Sequence, residues 1–164
     1  MNNNTIPVGI SDYKTSKSPD TLVTYALGSC IGIALYDSLS HVGGLSHIML
    51  PSSSLRANGV IDDRMKYADT AIPDLITELV RLGANKSSLK AKIIGGANMF
   101  NMTGTSFVDT IGERNIEAVR QILEKMGIPL VAEDVGANYG RTVYFKLDDG
   151  KVRIQSLGKN IHEI

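Results

Sequence analysis

The sequence predicts an α+β fold in a single domain, with mixed or mainly antiparallel sheets and two main helices. Its 164 residues suit one domain better than two. Segments with strand character outnumber helical ones by about eight to two, whereas a parallel doubly wound fold needs a crossover helix for nearly every strand. The 43% of apolar and 21% of charged residues are typical of a globular core. We expect one domain over residues 1–164.

The charges are balanced, because 17 Lys and Arg face 17 Asp and Glu. A basic or acidic stripe of five or six like charges, which would favour nucleic acid or a membrane surface, does not occur in the sequence. The longest apolar run, residues 31–36, is far shorter than the roughly 18 residues of a spanning helix, and the N-terminus is polar. We expect a cytoplasmic protein that neither binds nucleic acid nor inserts into a membrane.

The first third of the chain predicts four strands and a loop. Residues 8–14 and 22–27 form two extended segments on either side of a Ser-Pro-Asp turn. Residues 31–37 and 42–50 are rich in β-formers, and we expect them to pair as a central hairpin. Residues 52–63 have no periodicity, which predicts a surface loop or flap.

Two later segments have helical periodicity. Apolar residues recur at the spacing of an amphipathic helix over residues 71–82 and 113–126, and a glycine follows each segment. Pro73 complicates the first helix, because proline is tolerated only in the first turn. Either Thr70 caps this helix or the segment from Lys66 is kinked.

The remaining periodic segments predict strands, and the sequence between 99 and 111 is irregular. Asp149-Gly150 is a strong hairpin signal, and we expect the tail from Gly158 to be frayed. The four predicted strands are residues 89–94, 130–135, 141–147 and 151–157.

The inventory of reactive residues limits the chemistry. A single cysteine, Cys30, excludes an intramolecular disulfide and a zinc site with several thiolates. The three histidines lack metal-binding spacings, so we expect no metal. The glycine pairs at 43–44 and 95–96 lack the pattern of a phosphate-binding loop and predict tight turns instead.

Cys30 is a candidate nucleophile. It follows Gly28-Ser29, where a strand can turn sharply and backbone N–H groups can converge to form an oxyanion hole. His47 lies on the strand that we expect to pair with the one beginning after Cys30, so the two side chains can approach each other. An imidazole there would favour the thiolate or take the thiol proton during attack.

Structural roles remain open for these residues. A lone cysteine beside an apolar strand is commonly a packing residue, and a histidine in a strand is commonly a hydrogen-bonded core residue. Thr24 is by type only a β-former.

Six motifs, in order along the chain, resemble those of the CheD family, the chemoreceptor glutamine deamidases of bacterial and archaeal chemotaxis. The similarity covers about residues 5–158, which we expect to form the core. The motifs are TYALGSC at 24–30, GGLSHIMLP at 43–51, KYADTA at 66–71, GGANMF at 95–100, IGERN at 111–115 and AEDVG at 132–136.

This resemblance implies a layered α/β/β fold like the deamidase domain of cytotoxic necrotizing toxins, and conversion of receptor glutamines to glutamate without a cofactor. It implies that Cys30 is the nucleophile, that His47 is the general base and acid, and that Thr24 orients the imidazole. Gly28 and Ser29 would help to position the substrate and its oxyanion. The chain departs from the family pattern at Pro73 and at Tyr25-Ala26, where Leu-Gly is expected.

The resemblance also suggests a second role, as a binding module that pairs with CheC, a phosphatase of phosphorylated CheY. Four large apolar side chains, Met99, Phe100, Met102 and Phe107, lie in an irregular stretch, and such clusters can anchor interfaces. The alternative is a loop that folds back on the core.

Overall fold

The computed structural model describes residues 2–55, 63–100 and 110–164, and within them two α-helices and ten strands. The elements are β1 (Thr5–Pro7), β2 (Asp12–Lys17), β3 (Thr21–Leu27), β4 (Ile31–Asp37), β5 (Val42–Ile48), α1 (Ala68–Leu82), β6 (Leu89–Gly95), α2 (Ile111–Lys125), β7 (Leu130–Val135), β8 (Arg141–Lys146), β9 (Val152–Gln155) and β10 (His162–Glu163). Short 3₁₀ turns lie at Ser53–Leu55 and Lys86–Ser88. In this part of the chain, no helix is both long and apolar enough to cross a membrane.

The strands form two five-stranded sheets. The first has the order β1-β3-β8-β9-β10 and the second has the order β2-β5-β4-β6-β7. The β1–β3 and β6–β7 pairs are parallel and the other pairs are antiparallel. The mixed sheets and the central β4–β5 hairpin are therefore as predicted.

The second sheet lies between the helices and the first sheet. On β4, Ile31, Ile33 and Leu35 join the helices in one apolar cluster, whereas Ala34 joins Phe145 of the first sheet in another. This separation follows from the alternation of side chains along a strand. The layers are thus helices, sheet and sheet, which confirms the predicted α/β/β fold.

The chain departs from the predicted elements at both ends. Thr5–Pro7 forms a parallel edge strand that the sequence pattern did not indicate. Of the predicted strand over 8–14, only residues 12–14 are extended, as the start of β2, because Ser11, with a φ of 55°, interrupts regular extension. The prediction of a frayed tail is wrong, because His162–Glu163 pairs with β9. Both added strands are specified by pairing with another strand and not by local periodicity.

One glycine pair does not form the predicted tight turn. Gly43 and Gly44 lie inside β5, where a Cβ would come within 2.5 Å of Leu147 on one face and 2.7 Å of Leu75 on the other. Their missing side chains let both neighbouring layers approach the strand. The Gly95–Gly96 pair does turn, with positive φ angles.

The predicted Thr70 cap of α1 is wrong. The helix begins at Ala68, after Tyr67 and beyond Lys66, without a side-chain cap. Thr70 lies within the helix, and its hydroxyl donates to backbone carbonyls, including that of Tyr67. Pro73 lies inside the helix and beyond its first turn, which is the only turn that tolerates proline without cost.

Helix α2 begins two residues before its predicted start. The Thr110 hydroxyl accepts a hydrogen bond from the Glu113 amide, while the Glu113 carboxylate accepts one from the Thr110 amide at 2.8 Å. This reciprocal capping satisfies donors that would otherwise be unpaired at a helix start. Part of the predicted 52–63 loop lies outside the described residues.

Candidate active site

The three predicted catalytic residues come from two strands, one in each sheet, and from the turn before a third strand. Thr24 lies on β3 of the first sheet, His47 lies on β5 of the second sheet, and Cys30 directly precedes β4. Thr24 and His47 are fully buried and Cys30 is half-buried. The candidate site therefore lies between the two sheets.

A hydrogen bond joins Thr24 to His47 across the sheets. The Thr24 Oγ1 and His47 Nδ1 atoms are 2.8 Å apart. The single proton of the Thr24 hydroxyl is donated to the carbonyl of Val8, at 2.9 Å. Thr24 can therefore only accept from His47, which assigns the proton to Nδ1 and leaves a lone pair on Nε2.

The strand register relates His47 to Cys30. His47 pairs with Gly32 of β4, and Cys30 precedes Gly32 by two residues. Residues two apart on a strand share a face, so Cys30 is a diagonal neighbour of His47 on the inter-sheet face, within reach of a long side chain. Gly32 has no side chain, and Leu27 occupies the space there, 3.0 Å from where a Cβ would lie.

A β-bulge follows Thr24. The register between β3 and β8 shifts between Thr24 and Leu27, and Ala26 has a φ of 56°. A bulge changes the direction of a strand and the aim of its side chains, so that Thr24 and Leu27 both face inward while Tyr25 is exposed. Glycine adopts this conformation without the steric cost that alanine meets, which explains the expected Leu-Gly at this position.

The turn at residues 28–30, called the corner below, is hydrogen-bonded to the segment at the end of β6. The Gly96 amide donates to the Cys30 carbonyl at 2.9 Å, and the Ala97 amide donates to the Gly28 carbonyl at 2.8 Å. A side chain at Gly95 would clash with the Cys30 carbonyl. Met99 lies against Gly28, where a Cβ would be 3.1 Å from its Cγ. Met99 thus lies beside Gly28, one of the two residues that we predicted to position the substrate.

Burial keeps both reactive groups neutral. It lowers the pKa of His47 from 6.5 to about 4, because the imidazolium is desolvated. Burial also raises the pKa of the Cys30 thiol, against an opposing effect of its own backbone N–H. At neutral pH the pair is therefore a thiol and a neutral imidazole. The Nε2 atom of His47 is buried and has no hydrogen-bond partner among the described residues.

Asn115 is a polar residue at this corner to which the sequence analysis assigned no role. Its Nδ2 atom donates to the carbonyls of Ser29 and Met49, both at 2.9 Å, and the residue is fully buried. The available signal was its position on the apolar face of α2, four residues before Val119, where an amide is unexpected.

The predicted partner-binding residues are only partly described. Met99 is 48% exposed and Phe100 is 79% exposed, whereas Met102 and Phe107 lie outside the described residues. The two remaining histidines are elsewhere: His41 bonds the Tyr36 hydroxyl, and His162 bonds Asp134.

Two solved structures resemble the fold. A Bacillus licheniformis protein, YfiH, aligns with a TM-score of 0.50 at 15% identity, over 77% of this chain and 51% of its own. A Neisseria meningitidis protein of the DUF152 family aligns with a TM-score of 0.55 at 9% identity, over 82% of this chain and 64% of its own. At such identities the likeness concerns the fold alone.

Sequence relatives are much closer. Proteins of Clostridium kluyveri and Clostridium botulinum strain Hall are each 51% identical over 97% of both chains, and each is named a probable chemoreceptor glutamine deamidase CheD. The family model for CheD chemotactic sensory transduction matches residues 49–156. This chain, with its cysteine corner and its buried Thr24–His47 pair, belongs to the CheD family.

Proposed function

We propose that the protein hydrolyses selected glutamine side chains in the cytoplasmic domains of chemoreceptors to glutamate, with Cys30, His47 and Thr24 as its catalytic set. The observation that carries the proposal is the Thr24–His47 hydrogen bond, which leaves Nε2 free on the face that His47 shares with Cys30. The names of the relatives support the substrate class. Because these glutamines lie in cytoplasmic domains, the proposal implies a cytoplasmic enzyme.

The first step is attack on the carboxamide. The Cys30 Sγ atom bonds to the amide carbon while Nε2 of His47 takes the thiol proton, because both groups are neutral at rest. The carbonyl oxygen becomes an oxyanion. Backbone N–H groups of the corner, that of Cys30 and one from the Gly28–Ser29 turn, stabilise the oxyanion.

The next steps release ammonia and glutamate. The imidazolium donates the proton that it took from the thiol to the amide nitrogen, the C–N bond breaks, and ammonia departs. The acyl group stays bound to Cys30 as a thioester. His47 then takes a proton from water as the water attacks the thioester carbon. The C–S bond breaks, the sulfur regains a proton from His47, and the product carboxylic acid ionises to leave a glutamate side chain on the receptor. These steps need no cofactor.

Thr24 orients the imidazole without adding charge. Its hydroxyl accepts from Nδ1 but cannot stabilise an imidazolium as a carboxylate would. Burial lowers the pKa of His47, which makes its imidazolium costly to form, and we therefore expect modest turnover.

Mass spectrometry of a receptor cytoplasmic fragment tests the proposal. Wild type should convert glutamine to glutamate, whereas Cys30→Ala and His47→Ala should not, and His47→Ala should also slow alkylation of Cys30 at neutral pH. Ser46→Ala is the matched control, since Ser46 adjoins His47 but belongs to the opposite face of β5. Deamidation by folded Cys30→Ala would rule out the thiol mechanism.

A second candidate function is the regulatory pairing with CheC. What favours it is the 79% exposed Phe100 beside Met99, since large exposed apolar side chains can anchor an interface. Met99 also contacts Gly28, so a partner on this surface would lie next to Cys30. Binding and catalysis should then compete.

A further inference from the structure

We propose that Asn115 is a positioning residue that fixes the separation of Cys30 and His47 by bridging the two strands where they part. This inference rests on the Cys–His mechanism proposed above. The observation behind it is a buried side-chain amide that donates to one carbonyl just before β4 and to one just after β5.

Strands β4 and β5 separate at the candidate site. Their last backbone pair is Ile31 with Ile48. Beyond it, the amides of Met49 and Leu50 both donate to the Lys66 carbonyl, at 2.9 and 3.1 Å, and Leu50 bridges to Tyr67. On the other side of the gap, the Cys30 carbonyl accepts from Gly96. Next to Cys30, each chain segment thus forms its hydrogen bonds with a different neighbour and no longer with the other segment, so the two segments diverge.

Asn115 spans this gap. Its two Nδ2 protons are donated to the carbonyls of Ser29 and Met49. Ser29 directly precedes Cys30, and Met49 follows His47 by two residues. A bridge between these carbonyls limits how far the two reactive side chains can move apart, which matters because misplacement by about 1 Å can cost about 100-fold in rate.

The burial of Asn115 favours this role over simple packing. The side chain is fully buried, and its Oδ1 atom has no hydrogen-bond partner among the described residues. A half-satisfied buried amide is unfavourable, and an aliphatic residue would pack beside Ile116 and Val119 without that penalty. Only the amide supplies donors to both carbonyls.

The helix itself is held against the corner. A Cβ at Gly112 of α2 would lie within 2.5 Å of the Gly96 carbonyl and 2.7 Å of the Ala97 carbonyl. Gly96 and Ala97 in turn bond the carbonyls of Cys30 and Gly28. Asn115 therefore lies on a helix that packs directly against the residues bonded to Cys30 and Gly28.

The test is a double-mutant cycle on the full chain. Asn115→Leu keeps a similar side-chain volume but removes both donors. We expect kcat for receptor deamidation to fall about 10- to 100-fold with KM changed less than about threefold, and the neutral-pH alkylation rate of Cys30 to fall with it. In a His47→Ala background, Asn115→Leu should have little further effect on alkylation, because the pair that Asn115 positions is already lost.

Val119→Ala is the matched control, since it removes buried volume one turn along the same face of α2. It should lower thermal stability yet leave kcat and alkylation within about twofold of wild type. If Asn115→Leu does not fold, Asn115→Ala replaces it. Near-normal kcat and alkylation in a folded Asn115 variant, or equal effects with and without His47, would overturn the proposal.

A measurement on wild type covers the case in which both variants unfold. The Asn115 side-chain amide protons should exchange slowly with solvent, and their NMR signals should shift when Cys30 is alkylated. Fast exchange, or NMR signals that do not shift when Cys30 is alkylated, would contradict the proposed bridge. Because alkylation reports on the Cys30–His47 pair directly, it also separates failure of this inference from failure of the deamidase proposal.

Discussion

The hydroxyl of Thr24 accepts a hydrogen bond from Nδ1 of His47, although the two residues lie on different sheets. The same hydroxyl donates to the Val8 carbonyl, which determines the direction of the bond to His47. The proposed base therefore has the tautomer that the mechanism needs only when the two sheets are packed together. On the proposed mechanism, catalysis thus depends on the packing of one sheet against the other.

Replacing Thr24 should lower activity through the imidazole. Thr24→Val keeps the shape but removes the acceptor, so His47 loses its orientation and tautomer preference. We expect kcat to fall about 10- to 100-fold, less than in His47→Ala, because orientation contributes less than proton transfer. Thr24→Ser retains the hydroxyl and should stay within about threefold of wild type. Equal rates for the valine and serine variants would show that the hydrogen bond is unimportant.

The buried imidazole should make stability depend on pH. The pKa of His47 is about 4 in the folded protein, against 6.5 ordinarily, so between these values the unfolded chain binds a proton that the folded chain does not. The free energy of unfolding must therefore fall as the pH is lowered from about 6.5 towards 4, by about 2 kcal/mol between pH 7 and pH 5. Urea unfolding of wild type and of His47→Gln at both pH values isolates the contribution of His47, because the contributions of the other titratable groups are the same in both proteins. Parallel pH dependences would mean that His47 is protonated normally.

Glycine at position 26 should stabilise the protein. Ala26 has a φ of 56°, which costs a residue with a Cβ about 1–2 kcal/mol, whereas the greater freedom of glycine in the unfolded chain offsets about 0.4–1 kcal/mol. Ala26→Gly should therefore gain about 0.5–1 kcal/mol, seen as a rise of about 2–3 °C in Tm. Ala118→Gly, inside α2, is the control and should lose about 1 kcal/mol. A lower Tm in Ala26→Gly would contradict the strain argument.

Phe100 should be an anchor for CheC. If this exposed side chain is a hot spot, Phe100→Ala should weaken CheC binding by about 2 kcal/mol, roughly 30-fold in Kd, while Cys30→Ala binds almost normally. Leu39→Ala is the matched control, since Leu39 is 82% exposed but lies past the far end of β4. Calorimetric titration of CheC into wild type and into each of the three variants measures the affinities. Unchanged affinity in Phe100→Ala would remove the anchor, and full deamidation at saturating CheC would show that the two surfaces are separate.

Local features of the sequence determined the central hairpin, both helices and the residues able to carry the chemistry. The β4–β5 hairpin, with Cys30 before it and His47 within it, follows from runs of β-formers around a turn, and the helices follow from apolar spacing. Such patterns are visible in sequence because each residue's exposure repeats with the period of its own element.

Only the tertiary structure decided the features that depend on contacts between separate elements. The edge strands β1 and β10 form through pairing with β3 and β9, and the tautomer and lowered pKa of His47 come from Thr24 and from burial between two sheets. The bridge made by Asn115 joins carbonyls 86 and 66 residues away in the chain. Donor–acceptor pairing and desolvation act through space, and the spacing of residues along the chain does not specify which groups will meet.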